Sequence, residues 1–192
     1  MDSWNKRIAF LQRLEQLKLV ERANMVVGGN RPENSAEHSW HVAMMALILA
    51  PEIAPDVNLL TVLKMLLIHD IVEIEAGDTF IYSEEVAYQE EKEEKALEVL
   101  AQILPLKQGE EFKNLWYEFE KMETKEARFA KALDHFQPIM NYYQVGKIYT
   151  DHEPVSIEKV IEKKAWIQEI SPLLWETALQ YIKKCKEQGL YK

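Results

Sequence analysis

Leu59-Leu60-Thr61-Val62-Leu63-Lys64-Met65-Leu66-Leu67-Ile68-His69-Asp70 is the stretch that decides the fold. Lys64 is the only charge before an imidazole and a carboxylate stand side by side. A helix that is apolar nearly all round is expected at the centre of a helical protein. Ending it with His69 and Asp70 desolvates both groups, which costs free energy unless something compensates. A metal ion compensates, because it takes a neutral imidazole nitrogen and an ionised carboxylate oxygen. A complete site needs further ligands from elsewhere in the chain.

Working outward, the spacing predicts helices almost everywhere. Ile8, Leu11, Leu14 and Leu17 predict a helix over 3–21, capped by Asp2 or Ser3. Residues 24–34, with Gly28-Gly29 and Pro32, read as a loop. Ser35 caps a helix ending at Ala50, with Pro51 as its stop. The apolar helix spans about 57–76, with Gly77 as its C-terminal stop. Ser83 caps a helix over 84–104, with Glu84 and Glu85 in its first turn, where the dipole favours anions. Its many glutamates read as a solvated face over a stripe of Ala96, Leu97, Leu100 and Leu104. Helices follow over 109–122 and 125–146, then a loop over 147–155 that includes His152. Ser156 and Ser171-Pro172 each start another helix. Alternating strand-like runs are absent, and no linker or repeat divides the chain. The expected fold class is all-α: one helical-bundle domain over 1–192, of seven or eight helices.

Bulk properties narrow the function. The chain has 192 residues, 47% hydrophobic and 29% charged, enough for one sizeable core. A net charge of −9 with no Lys/Arg block argues against binding a nucleic-acid polymer, which needs many phosphate contacts. A small nucleotide remains open, since one or two cations hold one phosphate. Cys185 is the single cysteine, so no intramolecular disulfide forms, and a reducing cytoplasm is the expected location. The first residues lack the apolar core of a signal peptide, and the longest apolar run is too short for a bilayer.

Three helices offer the missing ligands. His38 lies in the first turn after Ser35, His69 and Asp70 end the apolar helix, and Asp134 follows the apolar approach Phe129-Ala130-Lys131-Ala132-Leu133. Two nitrogens and two oxygens leave room on an octahedral ion for water or substrate, as an open site requires. Water on such an ion loses a proton near neutral pH and can attack phosphorus. Glu73 lies four residues after His69 and three after Asp70, on the same face, where it can orient water or pass a proton. Asp78 and Thr79 project beyond the Gly77 stop as candidates for substrate hydroxyls. Pro138, four residues after Asp134, removes a hydrogen bond to the Asp134 carbonyl and predicts a kink or widened turn there.

The order His … His-Asp … Asp resembles that of the HD-domain metal-dependent phosphohydrolases. The segments Glu33-Asn34-Ser35-Ala36-Glu37-His38-Ser39 and His69-Asp70-Ile71-Val72-Glu73-Ile74-Glu75-Ala76-Gly77-Asp78 resemble the branch that includes the 5′-deoxynucleotidases. The resemblance covers about residues 8 to 145. It implies metal ligation by His38, His69, Asp70 and Asp134, a hydrolytic role for Glu73, and substrate contacts from Asp78, Thr79, Phe80 and Ile81. It also implies an arginine upstream of the first histidine that orients phosphate. Arg22 is the nearest match but is followed by Ala23 rather than Trp, and Arg31 competes with it. Glu37 either contacts substrate or serves the helix dipole.

The resulting expectation is hydrolysis of a nucleoside 5′-monophosphate, with one divalent transition metal: Mn, Co, Fe, Ni and Zn all suit the donor set. Alternatives are a phosphodiesterase, a nucleoside triphosphate hydrolase, a two-iron oxygenase recruiting His41 and His135, or a silent metal-stabilised dimerisation module. A homodimer is expected. Trp116, Tyr117, Trp166 and Trp175 either form its interface or fill the monomer core.

Overall fold

The computed structural model describes residues 2–83, 86–147 and 154–192. Asp2 caps α1 (Ser3–Leu14) by accepting from the Trp4 and Asn5 amides. The chain then tightens into a 3₁₀ segment, Glu15–Leu19, instead of continuing as α-helix to residue 21. A hairpin follows: β1 (Glu21–Met25) pairs antiparallel with β2 (Pro32–Asn34), with Glu21 opposite Asn34 and Met25 opposite Pro32. The loop expected over 24–34 is thereby narrowed to residues 26–31, with strands on either side.

The hairpin delivers the chain to α2 (Ser35–Ile53), whose cap is Asn34 rather than Ser35. Asn34 accepts from the Glu37 amide while the Glu37 carboxylate accepts from the Asn34 amide, a reciprocal capping box. Pro51 does not stop this helix, which runs through it to Ile53. The apolar stretch forms α3 (Leu59–Ile68), a 3₁₀ turn (His69–Val72) and α4 (Glu73–Ala76). Gly77 ends it at φ +76, a conformation glycine adopts without a side-chain clash. α5 (Val86–Ile103), α6 (Leu106–Lys121), α7 (Lys125–Val145), α8 (Ile157–Lys164), a 3₁₀ segment (Ala165–Glu169) and α9 (Pro172–Glu187) complete the bundle. Ser156 and Ser171 cap α8 and α9 as their sequence predicts. Glu84 and Glu85, the first turn expected after a Ser83 cap, fall outside the described residues, as does His152. With α3 to α4 counted as one interrupted rod, the described residues form eight helices, in an all-α bundle with one small hairpin.

α7 is the central helix, packing on α2, α3, α6 and α9. Phe129, Ala130, Leu133 and Phe136 of α7 meet Val42, Ala46, Val62, Met65 and Leu66 in the main core. A second cluster joins Phe10, Leu17, Leu97, Leu100, Phe112 and Trp116 around Ile71 and Val72. α3 is not buried all round: Leu60, Lys64 and Leu67 face outward, as do Trp40 and Ile48 on α2. The aromatic alternative resolves towards the core, since Trp116 and Trp175 are buried and Trp166 packs against it. α7 is α-helical through Pro138, without the widened turn expected at Asp134. Cys185 is a free, buried thiol. Among the described residues, no helix is long and apolar enough to cross a membrane.

Candidate active site

Ile68, at φ −112 and ψ −17, breaks the regular winding just before the His-Asp pair. His69 and Asp70 therefore start a new turn, and both turn towards α7. The His69 ring stands 5.5 Å from the His38 ring. Nε2 of His38 lies 3.0 Å from Oδ1 of Asp134 and 3.9 Å from Oδ2 of Asp70. Nε2 of His69 lies 3.0 Å from Oδ1 of Asp70 and 3.5 Å from Oδ1 of Asp134. One donor atom each from His38, His69 and Asp134 fits within 4.8 Å of the others. Three separate stretches of sequence thus bring His38, His69 and Asp134 together with Asp70 beside them, and both histidines are buried.

The hydrogen bonds fix which nitrogen of each ring faces this cluster. Nδ1 of His69 lies 2.9 Å from the Leu66 carbonyl, which only accepts, so Nδ1 carries the proton. Its Nε2 is buried with no hydrogen-bond partner, although two carboxylates stand near it. For His38 the order begins at Glu33, whose carboxylate accepts from Nε2 of Gln137 at 2.9 Å. That turns Oε1 of Gln137 towards Nδ1 of His38, at 3.0 Å, where it accepts the ring proton. Both inward Nε2 atoms then present lone pairs to carboxylate oxygens. Lone pairs facing lone pairs at 3.0–3.9 Å call for a cation between them. The donor set therefore fits a divalent transition metal, and Leu66 and Gln137 orient its imidazoles. Gln137 and Lys131 were not singled out from sequence, although each lies three residues from Asp134 on the same helical face.

The electrostatics follow the same pattern. Burial alone would lower the His69 pKa, but the Asp70 and Asp134 charges hold it above the usual imidazole range. Burial would raise Asp134, yet the His38 and His69 rings beside it hold it well below the carboxylate range; in the metal-free cluster a proton on His69 Nε2 takes the place that a cation would fill. Glu73 is raised well above that range, first by burial and then by the Asp70 charge. Ser35 Oγ donates to Oε2 of Glu73 at 2.5 Å, which ties the first turn of α2 to α4.

Arg22, on β1, enters this cluster. Its Nη1 lies 2.7 Å from Oδ2 of Asp70, 3.7 Å from Glu73 and 3.8 Å from Asp78. Arg31 does not: it is exposed and forks onto Glu37 at 2.5 and 2.9 Å, and neither residue lines the pocket. The pocket beside the cluster has a volume of about 840 Å³. Asp70, Glu73 and Asp134 form its floor, and Asp78, Thr79, Phe80 and Ile81 form part of its wall. Gln89 of α5 pins that wall, accepting from Thr79 Oγ1 at 2.7 Å and donating to the Gly77 carbonyl at 2.9 Å. His41 lies behind the site, with Nδ1 3.3 Å from Nε2 of Gln137, and does not line the pocket.

An all-helical bundle that buries two imidazoles and two carboxylates under an open pocket defines a class of metal-centred helical hydrolases. The chain belongs to the HD domain family, which it matches over residues 14–175. A crystal structure of a "Predicted metal-dependent phosphohydrolase" from Magnetospirillum magnetotacticum MS-1 superposes with a TM-score of 0.91 at 38% identity, covering 98% of this chain and 95% of that one. The 5′-deoxynucleotidase hdd1 of Schizosaccharomyces pombe is 28% identical over 178 residues, spanning 85% of this chain and 87% of its own length. The 5′-deoxynucleotidase HDDC2 of Homo sapiens is 29% identical over 162 residues, spanning 82% of this chain and 76% of its own.

Proposed function

We propose that this protein is a metal-dependent phosphohydrolase that removes the 5′-phosphate of a nucleoside monophosphate, with deoxyribonucleotides as the preferred class. The observation that carries this reading is the pair of lone-pair imidazole nitrogens, His38 Nε2 and His69 Nε2, set against Asp70 and Asp134 under a nucleotide-sized pocket. The names of the relatives supply the substrate class. His38, His69, Asp70 and Asp134 are the proposed ligands of one divalent cation. Such an ion, when bound, supplies Lewis acidity that activates water and polarises the phosphoryl group. Its identity among Mn, Co, Fe, Ni and Zn does not follow from the donor set.

The chain's own groups do the rest. Glu73, buried and raised in pKa, is the residue to exchange a proton with the attacking water. Arg22 projects its guanidinium from β1 into the same cluster and neutralises charge on the phosphate oxygens. Asp78 and Thr79 stand beside the sugar, and Phe80 and Ile81 give the base an apolar wall. The whole chain acts as one catalytic unit in a reducing cytoplasm. It self-associates through the outward apolar residues of α2 and α3, Trp40, Ile48, Leu60 and Leu67, and light scattering tests that association.

Phosphate release over the ribo- and deoxyribonucleoside monophosphates, with one cation at a time restored to the metal-free protein, tests the activity. Turnover of at least one monophosphate is expected, reduced by about 10²-fold or more in Glu73→Gln with metal content retained. No release with any cation would refute the reading, and normal rates in Glu73→Gln would remove that residue's role.

A further inference from the structure

Lys164 closes α8 and is only 4% exposed, yet it lines the pocket beside Asp134 and His135. Of the other cations lining this pocket, Lys121 is exposed to solvent, and the remaining three have partners. Arg22 is paired with Asp70 at 2.7 Å, and Lys131 with Glu120 at 2.9 Å. Lys163 donates to the Ile81 carbonyl at 2.7 Å. Lys164 makes no direct hydrogen bond or close ion pair among the described residues, and Asp134 is the opposing charge that acts on it. His135, on which the Lys164 charge acts, lines the same pocket and buries its Nδ1 without a hydrogen-bond partner. A largely buried lysine that no carboxylate pairs closely costs the fold stability. A side chain chosen only to fill space here would be apolar, because its four-carbon stem already makes the packing contacts.

We infer that Lys164, with His135 lining the same pocket, is an anion subsite in which the ammonium holds a phosphate oxygen of the substrate on the α8 side of the pocket. The inference rests on the phosphomonoester reading and extends it to a residue that reading does not use. Charge decides between the phosphate and the nucleobase as its ligand. Asp70, Glu73, Asp78 and Asp134 share the Arg22 guanidinium, so a phosphate dianion held there by Arg22 gains from a second cation that no carboxylate pairs closely. A base carbonyl would leave a buried ammonium uncompensated, whereas a phosphate neutralises it. Asp134 is the opposing charge that most supports the ammonium form, so Lys164 shares the electrostatic environment of the proposed metal site.

The test uses the full chain and inorganic phosphate as probe, with Lys164→Met, which keeps the stem, and Lys164→Arg, which keeps the charge. Calorimetric titration of phosphate should show binding weakened about tenfold or more in Lys164→Met, the scale of one lost charged contact. Lys164→Arg should retain most of the affinity. Without phosphate, Lys164→Met should melt no lower than the parent, because it removes an unpaired buried charge. Phosphate affinity unchanged in Lys164→Met would overturn the subsite. So would a phosphate-free Lys164→Met that melts well below the parent or fails to fold, since that outcome marks the lysine as structural. If no nucleotide is hydrolysed yet phosphate binding still depends on Lys164, the substrate reading fails and the subsite stands. If nucleotides are hydrolysed with an unchanged KM in Lys164→Met, the subsite fails and the substrate reading stands.

Discussion

Replacing Arg22 by methionine should destabilise the metal-free protein far more than a surface charge deletion does. The Arg22 side chain is 13% exposed and faces Asp70, Glu73 and Asp78, which are themselves 8–17% exposed. Water therefore screens little of the imbalance left when the guanidinium goes. Removing one partner of a buried ion pair costs about 3–5 kcal/mol, because the remaining charge has nothing to face. For a chain of this size, that corresponds to a fall in Tm of about 6–20 °C. A divalent cation restores positive charge to the same cluster, so the loss should shrink when manganese is added. A bound ion at a hundredfold excess over its Kd contributes about 2.7 kcal/mol to either protein, and more to the variant as its affinity rises. Thermal melts of both proteins, with and without manganese, provide the assay. A metal-free Arg22→Met that melts within about 2 °C of the parent, the scale of an ordinary surface change, would refute the electrostatic account of this cluster.

Two further outcomes follow from other parts of the bundle. Glu93 lines the pocket, and burial pushes its carboxyl up to about 7. The folded chain therefore keeps a proton that the unfolded chain releases between about pH 4.5 and 7, and stability falls as pH rises through that window. Glu93→Gln should raise Tm at pH 7.5 and leave it nearly unchanged at pH 4, both read by thermal melts; an equal shift at both pH values would contradict the assignment. Gly109 lets α6 approach α5 closely, and a Cβ there would meet the Ala101 carbonyl oxygen at 2.5 Å. Gly109→Ala should cost about 1–3 kcal/mol in urea unfolding, despite alanine's better helix propensity, and a stabilised variant would show that the helices separate freely.

The site was legible because metal chemistry restricts residue types. A histidine and an aspartate ending an apolar run, with Glu73 one turn on and His38 and Asp134 on separate helices, leave few other uses for so many buried polar groups. The helix starts at Ser156 and Ser171 were legible for a local reason, since one hydroxyl caps one free amide. What escaped depends on contacts distant in sequence. The hairpin of β1 and β2 has a three-residue second strand, too short to alternate visibly, and tertiary pairing alone defines it. Pro51 costs α2 the bond to the Leu47 carbonyl, yet the last turn still closes, with the Ala54 amide donating to the Ala50 carbonyl, so the helix passes through it. Arg22 and Arg31 were indistinguishable along the chain. Only the fold shows that Arg22 points inward from β1 while Arg31 pairs with Glu37 at the surface. Lys164 carried no sequence signal at all, because a lysine at a helix end usually faces water.

Calorimetric titration of manganese into the metal-free chain examines the proposed centre most directly, because it counts ions independently of any substrate. One ion per chain is expected, bound more weakly as pH falls and protons compete for the two imidazoles. Asp134→Asn should abolish that binding while the variant still folds. Full-strength manganese binding in Asp134→Asn, or no binding by the parent chain, would contradict a cation held by His38, His69, Asp70 and Asp134.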